Sequence, residues 1–332
     1  MMMTEPREPR LRLRVHAMAL EADGVVSVEL RAPRRGALPA WSAGAHLDLH
    51  LPNGLTRSYS LISLGDRDRY VVAVGLDRRS RGGSRFVHEV LRVGHELETS
   101  TPRNAFALAD DDAPTVLIAG GIGITPLFAM ARECASKGRP YTLHYTARNE
   151  AAAPFLDALS RLPGELRLHF DDGDPARFLD IAGVVAAAPP AARFYACGPS
   201  GLLDTFARAT RNLEPGRAAM ERFRADAPAA PAEGDDRPGD SREPLDFVVA
   251  LARDGRHFSI PPHRSVLEVL LDAGLDVPFS CQEGVCGQCM ARVLEGIPEH
   301  RDSYLSPTEK ASNDVMTICV SRCRGERLLL DV

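Results

Sequence analysis

Between Leu11 and Leu108, short runs at 46–51, 58–62 and 70–75 carry β-type residues, set apart by Gly, Pro and Asp. Strand-length runs bounded by breakers predict a small antiparallel barrel, with one helical stretch over 84–91. From Thr115 the rhythm changes. An apolar run at 115–119 meets Gly120-Gly121-Ile122-Gly123, and a helical pattern continues through Cys134. Further strand candidates at 141–146, 166–170 and 193–197 are each trailed by a helical stretch. Strands alternating with helices predict a parallel sheet with helices on both faces. The segment 225–243 (ADAPAAPAEGDDRPGDSRE) has almost no large apolar side chain, cannot bury a core, and reads as a linker. A compact domain follows over 244–332.

Composition narrows this picture. At 332 residues, with 44% hydrophobic and 26% charged residues, the chain suits two or three globular domains. A net charge of −5 argues against nucleic-acid binding. No apolar run approaches the roughly 18–20 residues that span a bilayer. The polar, proline-interrupted start, 1–10, lacks the apolar region of a signal peptide. Seven cysteines in a chain of this size, most of them in one pattern, fit a reducing cytoplasm better than a disulfide scaffold.

That pattern is the strongest chemical signal. Cys281, Cys286 and Cys289 are spaced C-x4-C-x2-C, and Cys319 follows after 29 residues. This is the plant-type ferredoxin arrangement, in which four thiolates hold a [2Fe–2S] cluster. Gly284 and Gly287 let the loop bend so that backbone N–H groups face the inorganic sulfides. A structural zinc site also uses four cysteines, but zinc ribbons pair C-x2-C with C-x2-C, whereas Cys319 and Cys323 are three residues apart. Cys323 reads as a spare thiol.

Weaker motifs gain meaning from their order. Arg57-Ser58-Tyr59-Ser60 falls on a barrel strand. An aromatic face can stack on an isoalloxazine, a hydroxyl can hydrogen-bond flavin N5, and a guanidinium can clamp a phosphate. Arg81-Gly82-Gly83-Ser84 precedes a helix and suits a phosphate. Each alone could be an ordinary strand or turn. Val74 and Gly75, closing the third run, are expected to touch the same cofactor. Gly120, Gly121, Gly123 and Thr125 stand where a strand gives way to a helix, the setting a dinucleotide pyrophosphate requires. The pattern is not G-x-G-x-x-G, so a true Rossmann dehydrogenase is disfavoured. Cys197-Gly198-Pro199 ends another strand. Cys197 could be a buried core thiol, but Gly-Pro directly after it favours a nicotinamide-side role.

In this order the residues resemble the reductases of two-component Rieske oxygenases, the phthalate dioxygenase reductase and vanillate O-demethylase reductase group. The resemblance covers nearly the whole chain. It rests on AGAHLDLHLPNGLTRSYSL, SRGGSRFVHEVL, TPRNAFAL, LIAGGIGITPLFAMAR, YACGPSGLLDT, ERF and the cysteine loop. It implies an FMN-binding β-barrel domain over 9–110, an α/β NAD domain over 111–224, the linker, and a β-grasp ferredoxin domain over 244–332. By matching position, Arg57, Ser58, Tyr59, Gly82, Gly83 and Ser84 would contact FMN. Thr125 would lie near the flavin and Phe223 would stack on its ring. Arg217-Ala218-Ala219-Met220 precedes Glu221 without the histidine that many relatives carry there.

The expected function is that of an NADH-dependent reductase. Hydride reaches flavin N5 with Ser60 hydrogen-bonded there and Cys197 on the nicotinamide side, and single electrons pass to the cluster. The partner is expected to be a terminal Rieske-type oxygenase of aromatic catabolism, and the chain a cytoplasmic monomer when free. FMN is favoured over FAD because the Gly82–Ser84 turn suits a terminal phosphate. Asp171, Asp172 and Asp174 favour NADH over NADPH, although Arg148 could bind a 2′-phosphate. From Glu243 to Val332 there are 14 Asp/Glu and 9 Lys/Arg, net 9 − 14 = −5, which suits transient docking to a basic patch. Two other readings are a reductase for a cytochrome P450 and a redox-sensing carrier.

Overall fold

The structure, a computed structural model, describes residues 10–34, 36–63, 65–77, 82–223, 246–279 and 281–332. The expected linker, Arg81 and Ser280 lie outside the described residues. The chain divides into two compact units, Met1–Arg222 and Phe223–Val332.

The first unit opens with six strands and one helix: β1 (Arg10–Ala22), β2 (Val25–Arg31), β3 (His46–His50), β4 (Thr56–Ser60), β5 (Arg69–Gly75), α1 (Gly83–Glu89) and β6 (Glu96–Ser100). They form an antiparallel sheet in the order β4-β3-β6-β1-β2-β5. A bridge between Leu61 and Val72 closes it into a barrel. The strand expected at 58–62 ends at Ser60, and Leu61 bridges to Val72 across the barrel while its amide still bonds the Ala45 carbonyl at 2.8 Å. Alternate residues point inward, so Leu47, Leu49, Val28, Leu30, Val72 and Val74 fill the interior with Val87 of α1.

The same unit continues with β7 (Thr115–Gly120), α2 (Ile124–Ser136), β8 (Tyr141–Ala147), α3 (Leu156–Ser160), β9 (Glu165–Phe170), α4 (Ile181–Ala187), β10 (Arg193–Cys197), α5 (Ser200–Thr210) and β11 (Ala218–Glu221). The sheet is parallel throughout, in the order β11-β10-β7-β8-β9. β7 is buried at every position, as a strand covered on both faces must be. The order reverses between β7 and β10, and in open α/β sheets ligands bind beyond the strand C-termini at such a switch point.

The second unit contains β12 (Phe247–Leu251), β13 (His257–Ile260), α6 (Val266–Asp272), β14 (Met290–Glu295), β15 (Pro298–Glu299), α7 (Pro307–Ser312), β16 (Val315–Thr317), β17 (Arg322–Cys323) and β18 (Arg327–Asp331). Its main sheet runs β13-β12-β18-β14-β16, with β12 and β18 parallel and the other pairs antiparallel. A capping box between Ser265 and Glu268 starts α6, whose Val266, Leu267 and Leu270 pack into the core with Val249, Leu328 and Leu330.

Candidate functional site

In the first unit, two glycine turns meet at the switch point. Register places Ala119, Cys197 and Glu221 in a row at the ends of β7, β10 and β11. A Cβ on Gly123 would lie 2.3 Å from the Cys197 carbonyl oxygen, and one on Gly120 would lie 2.7 Å from Pro199 Cδ. A Cβ on Gly198 would lie 3.1 Å from the Gly120 backbone. These glycines are therefore required first for packing one turn on the other. Gly121 has open space around it but a φ of +52°, which glycine adopts at little cost. Thr125 is buried in the first turn of α2 and donates to the Ile122 carbonyl at 3.0 Å.

The barrel contributes β4. Its register with β3 sets His46 opposite Ser60 and Asp48 opposite Ser58 on one face, and Leu47 opposite Tyr59 and Leu49 opposite Arg57 on the other. The four residues of the motif are thus split between two faces. Tyr59 is part-buried against the barrel core. Arg57 lies across Gly83, where a Cβ would come within 2.7 Å of Arg57 Cγ, so only glycine fits beneath the guanidinium. Gly82, with φ +109°, precedes α1 without a side-chain cap, and the first-turn amides of a helix have no carbonyl inside it to bond. Ser84 Oγ accepts from the Asp77 amide at 3.2 Å. The Val74 side chain lies in the barrel core and its carbonyl lies 2.9 Å from His88 Nε2, leaving the turn at Gly75, which packs on Ile122, as the surface that β5 offers.

Ser60 joins the two halves of this unit. Its buried hydroxyl lies 3.5 Å from Glu221 Oε2. Burial pushes the Glu221 carboxyl up to about 8, with the Ser60 hydrogen bond pulling the other way, so the group carries its proton at neutral pH. Cys197 is fully buried; burial first, and Glu221 second, hold its thiol protonated. A protonated thiol is a packing surface and a weak donor, not a nucleophile. Behind β4, buried Asp48 accepts from Ser58 Oγ at 2.6 Å and is ion-paired with Arg103. Glu221 and Asp48 were not among the residues singled out from the sequence. Glu221 directly precedes Arg222-Phe223, and Arg103 lies in TPRNAFAL, so both stood inside recognised segments. Phe223 itself follows β11 at the start of the second unit.

In the second unit the cysteine loop turns through Gln282, Gly284 and Gly287, with φ values of +56°, +72° and +71°. A Cβ on Gly287 would sit 2.3 Å from the Tyr304 ring. The thiols fall into two touching pairs. A hydrogen bond with Cys286, then burial, raises Cys281; a hydrogen bond with Cys289, then burial, raises Cys319, while that same bond lowers Cys289. Among the described residues no three His, Cys, Asp or Glu converge on one ion position. Cys286 also acts on Cys289 and Cys281 on Cys319, so all four thiols lie together, and a binuclear cluster needs four such thiolates, two per iron. The remaining cysteines stand apart: Cys134 is buried in α2, and Cys323 accepts from the Gly325 amide at 3.2 Å.

Residues 249–324 match the family described as 2Fe-2S iron-sulfur cluster binding domain. Over 324 residues the chain is 46% identical to phenoxybenzoate dioxygenase subunit beta of Ectopseudomonas oleovorans, covering 96% of this chain and 97% of that one. It is 38% identical to phthalate dioxygenase reductase of Burkholderia cepacia, over 99% and 100% of the two chains. A solved phthalate dioxygenase reductase, described as a modular structure for electron transfer from pyridine nucleotides to [2Fe-2S], superposes with a TM-score of 0.83 at 37% identity, covering 97% and 98%. An intact type IV self-sufficient cytochrome P450 monooxygenase superposes with a TM-score of 0.71 at 33% identity, covering 100% of this chain and 43% of that one.

Proposed function

The chain belongs to the flavin and iron–sulfur oxygenase reductases that include phthalate dioxygenase reductase, and on that premise we propose that it supplies electrons to a Rieske-type oxygenase acting on an aromatic compound. It is a pyridine-nucleotide-dependent oxidoreductase that delivers electrons through a flavin to a [2Fe–2S] cluster. The flavin is FMN and the reductant NADH. The observation that carries this reading is the meeting of Ser60, Cys197 and Glu221 at the switch point, in a chain whose cysteine loop presents two thiol pairs.

When bound, the flavin accepts a hydride and passes its electrons on singly. The chain's residues position and shield. Arg57 and the Gly82-Gly83-Ser84 turn would hold the terminal phosphate, with Tyr59 on the same face of β4 as Arg57. Ser58 and Ser60 share the other face, where the Ser60 hydroxyl would be the group offered to the ring nitrogen, while Thr125 and Gly75 would wall the site. Gly120, Gly121, Gly123, Gly198 and Pro199 shape the floor on which the dinucleotide lies. Cys197, buried and protonated, would back the nicotinamide side of the site from within the sheet, and protonated Glu221 would keep anionic charge away from an arriving hydride. Cys281 with Cys286, and Cys289 with Cys319, hold the two irons. No described helix is long and apolar enough to cross a membrane, and the protein works in the cytoplasm as a monomer when free.

Purified protein is expected to release FMN on acid treatment and to reduce ferricyanide with NADH. It should reduce cytochrome c only with its cluster intact. Released FAD, or cytochrome c turnover that survives cluster loss, would contradict the proposal. A second reading, transfer to a cytochrome P450, is favoured by the likeness to the P450 fusion across this whole chain. Reconstitution with the oxygenase encoded beside this gene separates the two.

A further inference from the structure

One cleft of the first unit is lined by none of the residues given a part in the chemistry above. We propose that it is a binding site for a one-ring aromatic carboxylate. The proposal goes beyond the electron-transfer reading and does not depend on it.

The cleft opens where the outer face of the barrel meets α2 and α3, and its volume is about 330 Å³. Small side chains in register make its floor: on β1 and β2, Ala17 stands opposite Glu29 and Ala19 opposite Ser27, and Val71 of β5 continues the row. Its wall is aromatic. Phe128 and Phe155 stack with ring centroids 5.3 Å apart and planes 15° from parallel. Phe155 sits just before α3 at a φ of +68°, a left-handed backbone that a bulky side chain adopts at a cost, and residues held so tend to serve a ligand. An apolar cavity of about 150 Å³ already takes up benzene, so this cleft has room for a ring and a polar substituent.

One end of the cleft is charged. Arg132 lies one turn beyond Phe128 on α2, with its guanidinium carbon 5.8 Å from the centre of that ring. It donates to the Ile62 carbonyl at 3.2 Å, and among the described residues no carboxylate pairs with it. Arg69, which also lines the cleft, is by contrast held by Glu29 and Asp66. Glu29 in turn gives one oxygen to Arg31 at 2.6 Å and the other to Arg69 at 2.9 Å, so its charge is met within the wall. Next to Ile62, buried Ser63 accepts from the Val71 amide at 3.1 Å, which leaves its hydroxyl hydrogen to donate.

These features select one chemistry. A guanidinium with N–H groups to spare, beside a hydroxyl donor, suits a carboxylate, and the stacked phenyl rings suit the ring that bears it. A simple anion would leave the aromatic wall unused, and a neutral arene would leave the guanidinium without its counter-charge.

The full-length protein, titrated with benzoate and followed by saturation-transfer NMR, tests this. Benzoate should bind saturably and at least tenfold more tightly than benzyl alcohol, a ring without the charge, or acetate, a charge without the ring. Arg132→Gln keeps a donor for the Ile62 carbonyl and removes the charge; benzoate should weaken tenfold or more, and benzyl alcohol should hardly change. Ala158→Phe, at an exposed position of α3 on the rim, fills the cleft and should abolish benzoate binding. Saturating NAD+ should leave benzoate in place, since the nucleotide floor and the cleft share no residue. No saturable binding by the wild type, equal affinity for benzyl alcohol or acetate, undiminished binding by either variant, or displacement by NAD+ overturns the proposal. If Arg132→Gln does not fold, Ala158→Phe decides.

Discussion

Replacing Glu221 with glutamine keeps the shape of the side chain and removes its ionisation, which isolates an electrostatic load built into the first unit. A carboxyl with an ordinary value of 4.5 is pushed up to about 8 by burial. Between those two pH values the folded protein holds a proton that the unfolded chain has lost. Stability therefore falls as pH rises through that window and levels off above about 8. At about 1.4 kcal/mol per pH decade the upper bound is about 5 kcal/mol. Part of the side chain reaches solvent, which brings the expectation to roughly 2–3 kcal/mol. Glu221→Gln has no such slope and should gain on the wild type by that amount between pH 5 and 9. Urea unfolding of the flavin-loaded proteins, followed by the fluorescence of Trp41, the single tryptophan and part of the first unit, reads it. The midpoints should separate by about 1 M across the range. Midpoints that keep a constant separation from pH 5 to 9 would show that the carboxyl titrates as an ordinary surface group.

Other outcomes follow from the same geometry. Cys319→Ser should lose iron and sulfide and cytochrome c reduction while keeping NADH–ferricyanide turnover, as iron assay and both activities will show. Gly287→Ala must place a Cβ 2.3 Å from the Tyr304 ring at a φ of +71°, so cluster absorbance at the time of purification should fall sharply. Asp48→Ala removes a buried carboxylate that accepts from Ser58 and pairs with Arg103, and should destabilise the first unit by about 3 kcal/mol, read by thermal melting. NADH should exceed NADPH in kcat/KM, since Asp171, Asp172 and Asp174 outnumber Arg177, the ion-pair partner of Asp172, after β9; a preference for NADPH would point to exposed Arg148.

The elements easiest to read were those whose sequence reports one environment. β10 was legible at its full extent, 193–197, because a strand buried on both faces and closed by Gly-Pro has unambiguous ends. The cysteine pattern was legible because it is local, with three of its four thiols within nine residues. What escaped depended on pairing across long separations. β1 is 13 residues of alternating arginine and apolar positions (RLRLRVHAMALEA) whose arginines pair with Glu96 and Glu98 on β6. Glu221 was not singled out, since only the fold brings Ser60 against it from 161 residues away. Val74 was grouped with Gly75 as a ligand contact, and only the inward alternation of β5 shows its side chain to be core.

The position of β18 has a consequence for how the molecule is made. This strand lies in the middle of the second unit's sheet, between β12 and β14, yet it comes after both in the chain. On the ribosome the sheet is split into two halves until residues 327–331 have emerged, and Cys281, Cys286, Cys289 and Cys319 all emerge before it. Cluster insertion must therefore follow translation of this domain. Removing residues from 327 onward should leave a colourless second unit attached to a first unit that still folds and binds flavin.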